Sequence, residues 1–379
     1  MAGTAIEGAL PARRPVITAW DAVSPFGMGR AAFADGLRAR RPAAAPLDRA
    51  TWNAAGDTAC LVPDFDVRAV LGKKGTRSMD RVTGLAVTTV GRLLDGAPRN
   101  RQVATGPDAA LVLGTTTGSV QSQMDFTRDS LTNEKPYFVD PACFPNAVMN
   151  CAAGQSAIWH RLKGPNTTIA GGRAAGLYAL NYSRRLLDFG RAGTVLCGAV
   201  EEFSAARTWL DRHAADPGAD GAPATPGEGC GLLLVEQADP GDPDQPVLAE
   251  VLAVDLRIAL DGAVRPALAA CLARALRRAE VGPAEIWAVA TSEAPGPAGE
   301  QEQAAVDEVL AGAEPLRLTQ AGLIGDTGAA AAAFQVAGVL VQAEDDPAAA
   351  GRVALVTSVD RGGAVGCALL RIGRPAGGR

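Results

Sequence analysis

An α/β fold built on a largely parallel sheet is what this chain predicts, and three observations carry the prediction. Continuous apolar runs at residues 109–114 and 194–200 read as strands buried on both faces. Segments with apolar residues at helical spacing alternate with such runs, and that alternation calls for parallel strands with helices on both sides of the sheet. The pattern then starts again after residues 237–246, Gln-Ala-Asp-Pro-Gly-Asp-Pro-Asp-Gln-Pro, which can form no regular element. An N-terminal half (1–240) and a C-terminal half (241–379) are therefore expected.

Taken in order, residues 15–20 read as a first strand, followed by a Ser24-Pro25-Phe26-Gly27 turn and a helix over 30–37. Residues 40–62 are Pro- and Ala-rich loop. A helix follows with Val82, Leu85, Ala86, Val90 and Leu93 on one face and Asp80 as its N-cap. The strand at 109–114 leads into Gly114-Thr-Thr-Thr-Gly-Ser119, and residues 145–162 read as a helix rich in small side chains. Residues 164–177 run Gly-Pro, a short β-leaning Thr167–Ile169 segment, Gly171-Gly172, and then a helix with Leu177, Leu180, Leu186 and Leu187 on one side. After the strand at 194–200, residues 216–226 are loop, and Gly227-Glu228-Gly229-Cys230-Gly231 enters a strand at 232–235. The second half reads as strands near 247–257, 286–291, 315–319 and 352–358, with helices at 263–279, 299–311 and 327–342 between them. The Gly328-Ala-Ala-Ala-Ala-Ala-Phe334 opening of the last helix suits a helix squeezed between two sheets, although plain helix propensity would also favour alanine there.

Composition narrows the function classes. With 47% hydrophobic and 20% charged residues the chain is that of a soluble globular protein. A net charge of −5 argues against nucleic acid as a partner. Residues 1–14 hold no apolar core for a secretory signal, and no run approaches the roughly 20 apolar residues of a membrane span, so a cytoplasmic location is expected. The seven cysteines are scattered without metal spacing, which favours buried reduced thiols and predicts neither metal nor cofactor. Gly114-Thr-Thr-Thr-Gly-Ser119 lacks the Gly-Lys-Ser/Thr ending of a phosphate loop. Gly227-x-Gly229-x-Gly231 precedes a strand, the wrong order for a dinucleotide fingerprint.

The 164–177 stretch is a strand, a tight turn and a helix N-terminus, an arrangement that presents a residue beside the first free N–H groups of the helix. The residue presented is Arg173, which cannot be a nucleophile. The stretch resembles the nucleophile turn of β-ketoacyl synthases, in which Thr-Ala-Cys follows Gly-Pro and a short strand. Counted from Gly164-Pro165, the cysteine falls on Arg173. Phe144-Pro145-Asn146 through Gly154-Gln155, Gly227–Gly231 and Ser358–Gly363 extend the resemblance, which runs from Pro15 to Ile372. It implies a thiolase-like five-layered αβαβα fold of two similar halves.

The departures from the family's pattern are as informative as the matches. Decarboxylative condensation needs a thiolate and two imidazoles. The chain's two histidines, His160 and His213, stand at neither family position; those fall on Ser292 and Asp326. The family lysine falls on Ala321, and the gating phenylalanine of Gly-Phe-Gly-Gly on Arg361. The chain therefore resembles the chain length factor, or ketosynthase β, of type II polyketide synthases, with Arg173, Ser292, Asp326 and Arg361 as relict positions. A buried Arg173 requires a carboxylate partner; Asp326 leads because the resemblance implies that these two positions share one site, with Glu201, Glu202, Glu228 and Glu293 in reserve.

The resemblance implies two partners, an active Cys-bearing ketosynthase and an acyl carrier protein, in the making of polyketides such as antibiotics. Phe144, Val148, Met149, Ile158 and Trp159 are the expected heterodimer interface. Lys73, Lys74, Arg77 and Arg81 read either as a solvated face or as a carrier-docking patch. Two other readings stay open: an acyltransferase or hydrolase that uses Ser292 as nucleophile, and a scaffold without influence on product length.

Overall fold

In the computed structural model, which describes residues 14–214, 224–242 and 244–373, ten strands carry the fold. They are β1 Pro15–Ser24, β2 Ala109–Thr115, β3 Asn166–Ala170, β4 Thr194–Glu201, β5 Gly229–Gln237, β6 Ala249–Ile258, β7 Ile286–Ala290, β8 Leu316–Leu318, β9 Val353–Val359 and β10 Ala364–Ile372. The spatial order is β3-β2-β4-β5-β1 for the first five and β8-β7-β9-β10-β6 for the second five. Numbered within each half, both read 3-2-4-5-1, so the chain folds the same way twice. The two sets meet edge to edge where Val16 stands opposite Glu250 and Ile17 opposite Ala249.

The largely parallel sheet expected from the alternation is corrected to a mixed one. Strands β2, β3 and β4 run parallel, as do β7, β8 and β9. The β4/β5, β5/β1, β9/β10 and β10/β6 pairs are antiparallel. Periodicity detects a helix without showing whether it crosses the sheet. The helix between β4 and β5, Ala205–Ala214, packs on Val120–Thr132 and not on the sheet. Strand β10, absent from the sequence reading, follows β9 through the 360–363 turn, and so short a link allows only antiparallel pairing.

Nine helices of ten or more residues occur among the described residues: α1 Arg30–Ala39, α2 Arg81–Asp95, α3 Val120–Thr132, α4 Cys151–His160, α5 Ala175–Asp188, α6 Ala205–Ala214, α7 Val264–Ala279, α8 Pro297–Val309 and α9 Ala331–Asp345. Asp80 caps α2 as expected, its Oδ1 accepting from Thr83 N at 3.0 Å. The single helix expected over 145–162 is instead a 3-10 turn, Phe144–Ala147, followed by α4. Helix α3 escaped notice because Val120 is its only buried residue, which leaves almost no apolar period to read. Most of the loop expected at 216–226 lies outside the described residues.

Helices α2 and α4 cover the outer face of the first five strands, and α7 and α8 that of the second five. Helices α5 and α9 lie between the two sets in one shared apolar core. This is the five-layered αβαβα arrangement. Small residues permit it: an ideal Cβ on Gly176 of α5 would stand 2.9 Å from Ala332 Cβ of α9, and one on Gly231 of β5 would stand 2.9 Å from Ala333 Cβ. No helix among the described residues is long and apolar enough to cross a membrane.

Overpacking the middle layer should therefore be felt directly. Gly176→Val is expected to lower stability by about 1–3 kcal/mol, read as a lower urea midpoint at unchanged slope. A midpoint equal to that of the unsubstituted chain would contradict the close α5–α9 contact.

Candidate functional site

Strand β3 ends at Ala170, Gly171 turns the chain, and a 3-10 turn, Gly172–Ala174, opens α5. Gly172 has φ +56°, a left-handed conformation in which glycine is unstrained. The turn points Arg173 into the middle layer, where its side chain is only 12% exposed. The carboxylate the sequence called for is present. Arg173 Nη1 donates to Asp326 Oδ1 at 2.5 Å and Nη2 to Asp326 Oδ2 at 2.6 Å, a two-pronged pair. Gly328 N also donates to Asp326 Oδ1 at 2.9 Å. Burial by itself would raise the Asp326 carboxyl, but the adjoining Arg173 guanidinium outweighs it and holds the group well below the carboxylate range.

Two acidic residues stand where β4 ends, and the first of them, Glu201, lies beside this pair. Glu201 accepts from Thr116 Oγ1 and from Ala329 N (3.1 Å). Glu202 accepts from Ser119 Oγ at 2.9 Å and Val82 N at 3.1 Å, and burial first, then nearby Asp80, pushes it up to about 8. Arg207 of α6, buried, donates to the carbonyls of Glu202 (3.1 Å), Gly227 (2.8 Å) and Asp326 (3.0 Å). Arg207 went unnoticed in the sequence. The only signal was indirect: acids closing a strand buried on both faces call for a cation nearby, and Arg207 lies close enough to Glu201 to interact by charge.

Ser292 is close to the pair but sealed, with 4% of its surface exposed. Its Oγ donates to Glu302 Oε2 at 2.7 Å, and its N–H to Glu302 Oε1 at 2.9 Å. Thr357 Oγ1 donates to the same Oε1 at 2.6 Å. Burial raises the Glu302 carboxyl. Between Arg173, Ser292, Gln320, Asp326 and Gln335 the remaining space is about 20 Å³, room for one water. Neither histidine is near: His160 Nε2 lies 2.8 Å from Val87 O, and His213 stacks on Trp209 on α6. Arg361 does not join the site either. It is exposed, 3.5 Å from Asp211 of α6. The structure thus brings together Arg173, Ser292 and Asp326, and leaves Arg361 at the surface.

The four basic residues also divide. Lys73, Lys74 and Arg77 are exposed, whereas Arg81 turns inward onto fully buried Glu228, with Nε to Oε2 at 2.7 Å and Nη2 to Oε1 at 2.5 Å. Phe144, Val148, Met149 and Ile158 are exposed, Ile158 by 74%. Trp159 is half-buried because it packs over Gly75. Met124 and Leu131 of α3, and Tyr137 and Phe138 beyond its end, add exposed apolar surface that the sequence reading missed. Six cysteines are buried and Cys143 is exposed, which corrects the expectation of buried thiols at that one position. No group of His, Cys, Asp and Glu among the described residues could hold a metal ion.

The ion pair sets a pH dependence. Asp326 titrates lower in the folded than in the unfolded chain, so its contribution is complete above about pH 4 and is lost as the pH falls further. Arg173→Met leaves that carboxylate buried and unpaired, and at pH 7 should destabilise by about 3–5 kcal/mol. Arg173→Met/Asp326→Leu should recover most of the loss. Urea unfolding of the single and double variants checks this; equal stability of the two would show that the pair is not coupled.

Comparison with known proteins fits this geometry. The model of the β-ketoacyl synthase N-terminal domain matches residues 12–240. A solved structure, the ishigamide ketosynthase/chain length factor, is 46% identical with a TM-score of 0.89, covering 95% of this chain and 99% of that one. A type II polyketide synthase acyl-carrier protein in complex with its ketosynthase gives a TM-score of 0.78 over 96% of this chain and 100% of that one, and at 17% identity shows the fold alone. Among curated relatives, a 3-oxoacyl-[acyl-carrier-protein] synthase 2 from Synechocystis is 28% identical over 249 residues, 61% of this chain and 59% of that protein. The chain thus spans about three-fifths of the length of the curated relatives it matches. It belongs to the β-ketoacyl synthase family, and within it to the ketosynthase/chain length factor proteins.

Proposed function

We propose that this chain is the non-condensing subunit of a type II polyketide synthase: it pairs with an active, Cys-bearing ketosynthase and shapes the channel for the growing acyl chain. One observation carries the reading. At the turn where the family presents its nucleophile stands a guanidinium bound by both nitrogens to Asp326, itself at a family histidine position. Neither group can act as nucleophile or decarboxylation base in that state. The division at 240/241 accords with the 3-2-4-5-1 strand order on each side. The partners are proposed as that ketosynthase and an acyl carrier protein, in the cytoplasm.

The surface supports a large interface. Strand β3 is the free edge of its sheet, and Phe144, Val148, Met149 and Ile158 leave apolar surface in water nearby. A partner subunit continuing the sheet past β3 would cover both. Lys73, Lys74 and Arg77 remain the proposed carrier-docking residues; Arg81 is committed to Glu228. The Ser292 reading has less support, since the Ser292 hydroxyl is bound to Glu302 and faces a space too small for a substrate.

Co-expression with a Cys-bearing ketosynthase should give a 1:1 complex that extends acyl chains on a carrier protein, while this chain alone shows no turnover of acyl thioesters. Met149→Asp/Ile158→Asp should abolish the complex on a sizing column. Turnover by the isolated chain, lost on Ser292→Ala, would replace this reading with the hydrolase or acyltransferase one.

A further inference from the structure

The turn before α5 is closed by a second group, independent of the Arg173 side chain. In a strand–turn–helix of this kind, the main-chain N–H at the helix start is the donor that a carbonyl oxygen meets as it becomes an oxyanion. Here that donor is already engaged. Arg173 N donates to Asp360 Oδ1 at 2.9 Å, and Gly362 N donates to Asp360 Oδ2 at 2.7 Å. The carboxylate lies against the Cα of Gly172, where any side-chain carbon would overlap it. The 360–363 turn is itself closed, by Asp360 N on Ala364 O at 2.8 Å and Gly363 N on Asp360 O at 2.9 Å. Arg361 ties the same turn to Asp211 of α6 at 3.5 Å.

We propose that Asp360 is a built-in anion that blocks this turn to acyl thioesters whatever residue stands at 173, a proposal that rests on the non-condensing reading. Acyl transfer to a cysteine placed there would form a bond from its thiolate sulfur to the thioester carbonyl carbon and break the bond to the departing thiolate, which then takes up a proton. On the way the carbonyl oxygen becomes negative and needs the Arg173-position N–H. Asp360 occupies that donor and repels the incoming charge. Its carboxylate also disfavours the attacking thiolate. Restoring cysteine alone therefore does not restore acylation.

The test uses the full chain with Arg173→Cys/Asp326→Asn, which leaves no unpaired carboxylate at 326, with and without Asp360→Gly. Each is incubated with hexanoyl-coenzyme A, and the covalent adduct at position 173 is followed by intact mass. Asp360→Gly should speed adduct formation by on the order of 100-fold, the usual effect of one oxyanion donor. Equal rates overturn the proposal. Should those variants not fold, amide hydrogen exchange over residues 171–178 decides between wild type and Asp360→Ala. Exchange at the turn should rise by about 10-fold, and unchanged exchange overturns the block. An adduct on the unsubstituted chain would refute the non-condensing reading while leaving the Asp360 comparison intact.

Discussion

Helices α5 and α9 have a sheet on each side, and that confinement governs the rest of the molecule. A helix stretch with no solvent face must be apolar or small all round: from Ala332 to Val341 every residue of α9 is buried, whereas α5 turns Arg185 and Asp188 outward near its C-terminal end. The same confinement brings both helix N-termini into the dry middle layer, where four N–H groups per helix still need acceptors. Each helix opens through a 3-10 turn that begins on a left-handed glycine, Gly172 (φ +56°) for α5 and Gly328 (φ +52°) for α9.

The acceptors come from the opposite half. Glu201 closes β4 of the first half and takes Ala329 N at the start of α9. Asp360 follows β9, the equivalent strand of the second half, and takes Arg173 N at the start of α5. Each sheet thus supplies a carboxylate to the helix N-terminus of the other half, where the peptide dipoles favour negative charge. Four acidic side chains, Glu201, Glu302, Asp326 and Asp360, converge on this region, and Arg173 and Arg207 are the buried cations that balance them. Arg173 therefore has an electrostatic role of its own: without a cation at that position, the acids around the two helix starts would repel one another.

Much of this was legible in the sequence, and the gaps have physical causes. Apolar runs and helical spacing located most of the main strands and helices because burial on both faces leaves a strong pattern. Direction of pairing was not legible, since β4/β5 and β9/β10 depend on where the connecting chain travels and not on the strands' own residues. A carboxylate partner for Arg173 could be anticipated, because a charge at a buried turn demands its opposite; the choice of Asp326 comes from the resemblance, which implies that the two positions share one site. Asp360 could not: it occupies the first glycine of a Gly-Phe-Gly-Gly pattern, and nothing local marks a carboxylate that reaches across to another half. Arg81 misled for the converse reason, since its partner Glu228 is 147 residues away.

The choice of an ion pair at 173 and 326, in place of inert residues, is itself informative. Two apolar side chains of similar volume would fill the same space with equal or greater stability, because a buried pair gives up hydration that its mutual attraction only partly restores. Stability alone does not account for the pair. What a two-pronged contact adds is geometry: it fixes the start of α5 against the start of α9 in both distance and rotation. Those two turns hold β3 and the 360–363 loop in place. If β3 is the edge that meets a partner subunit, this charged latch sets the shape of that edge, and the proposed non-condensing role and the proposed interface rest on one structural feature.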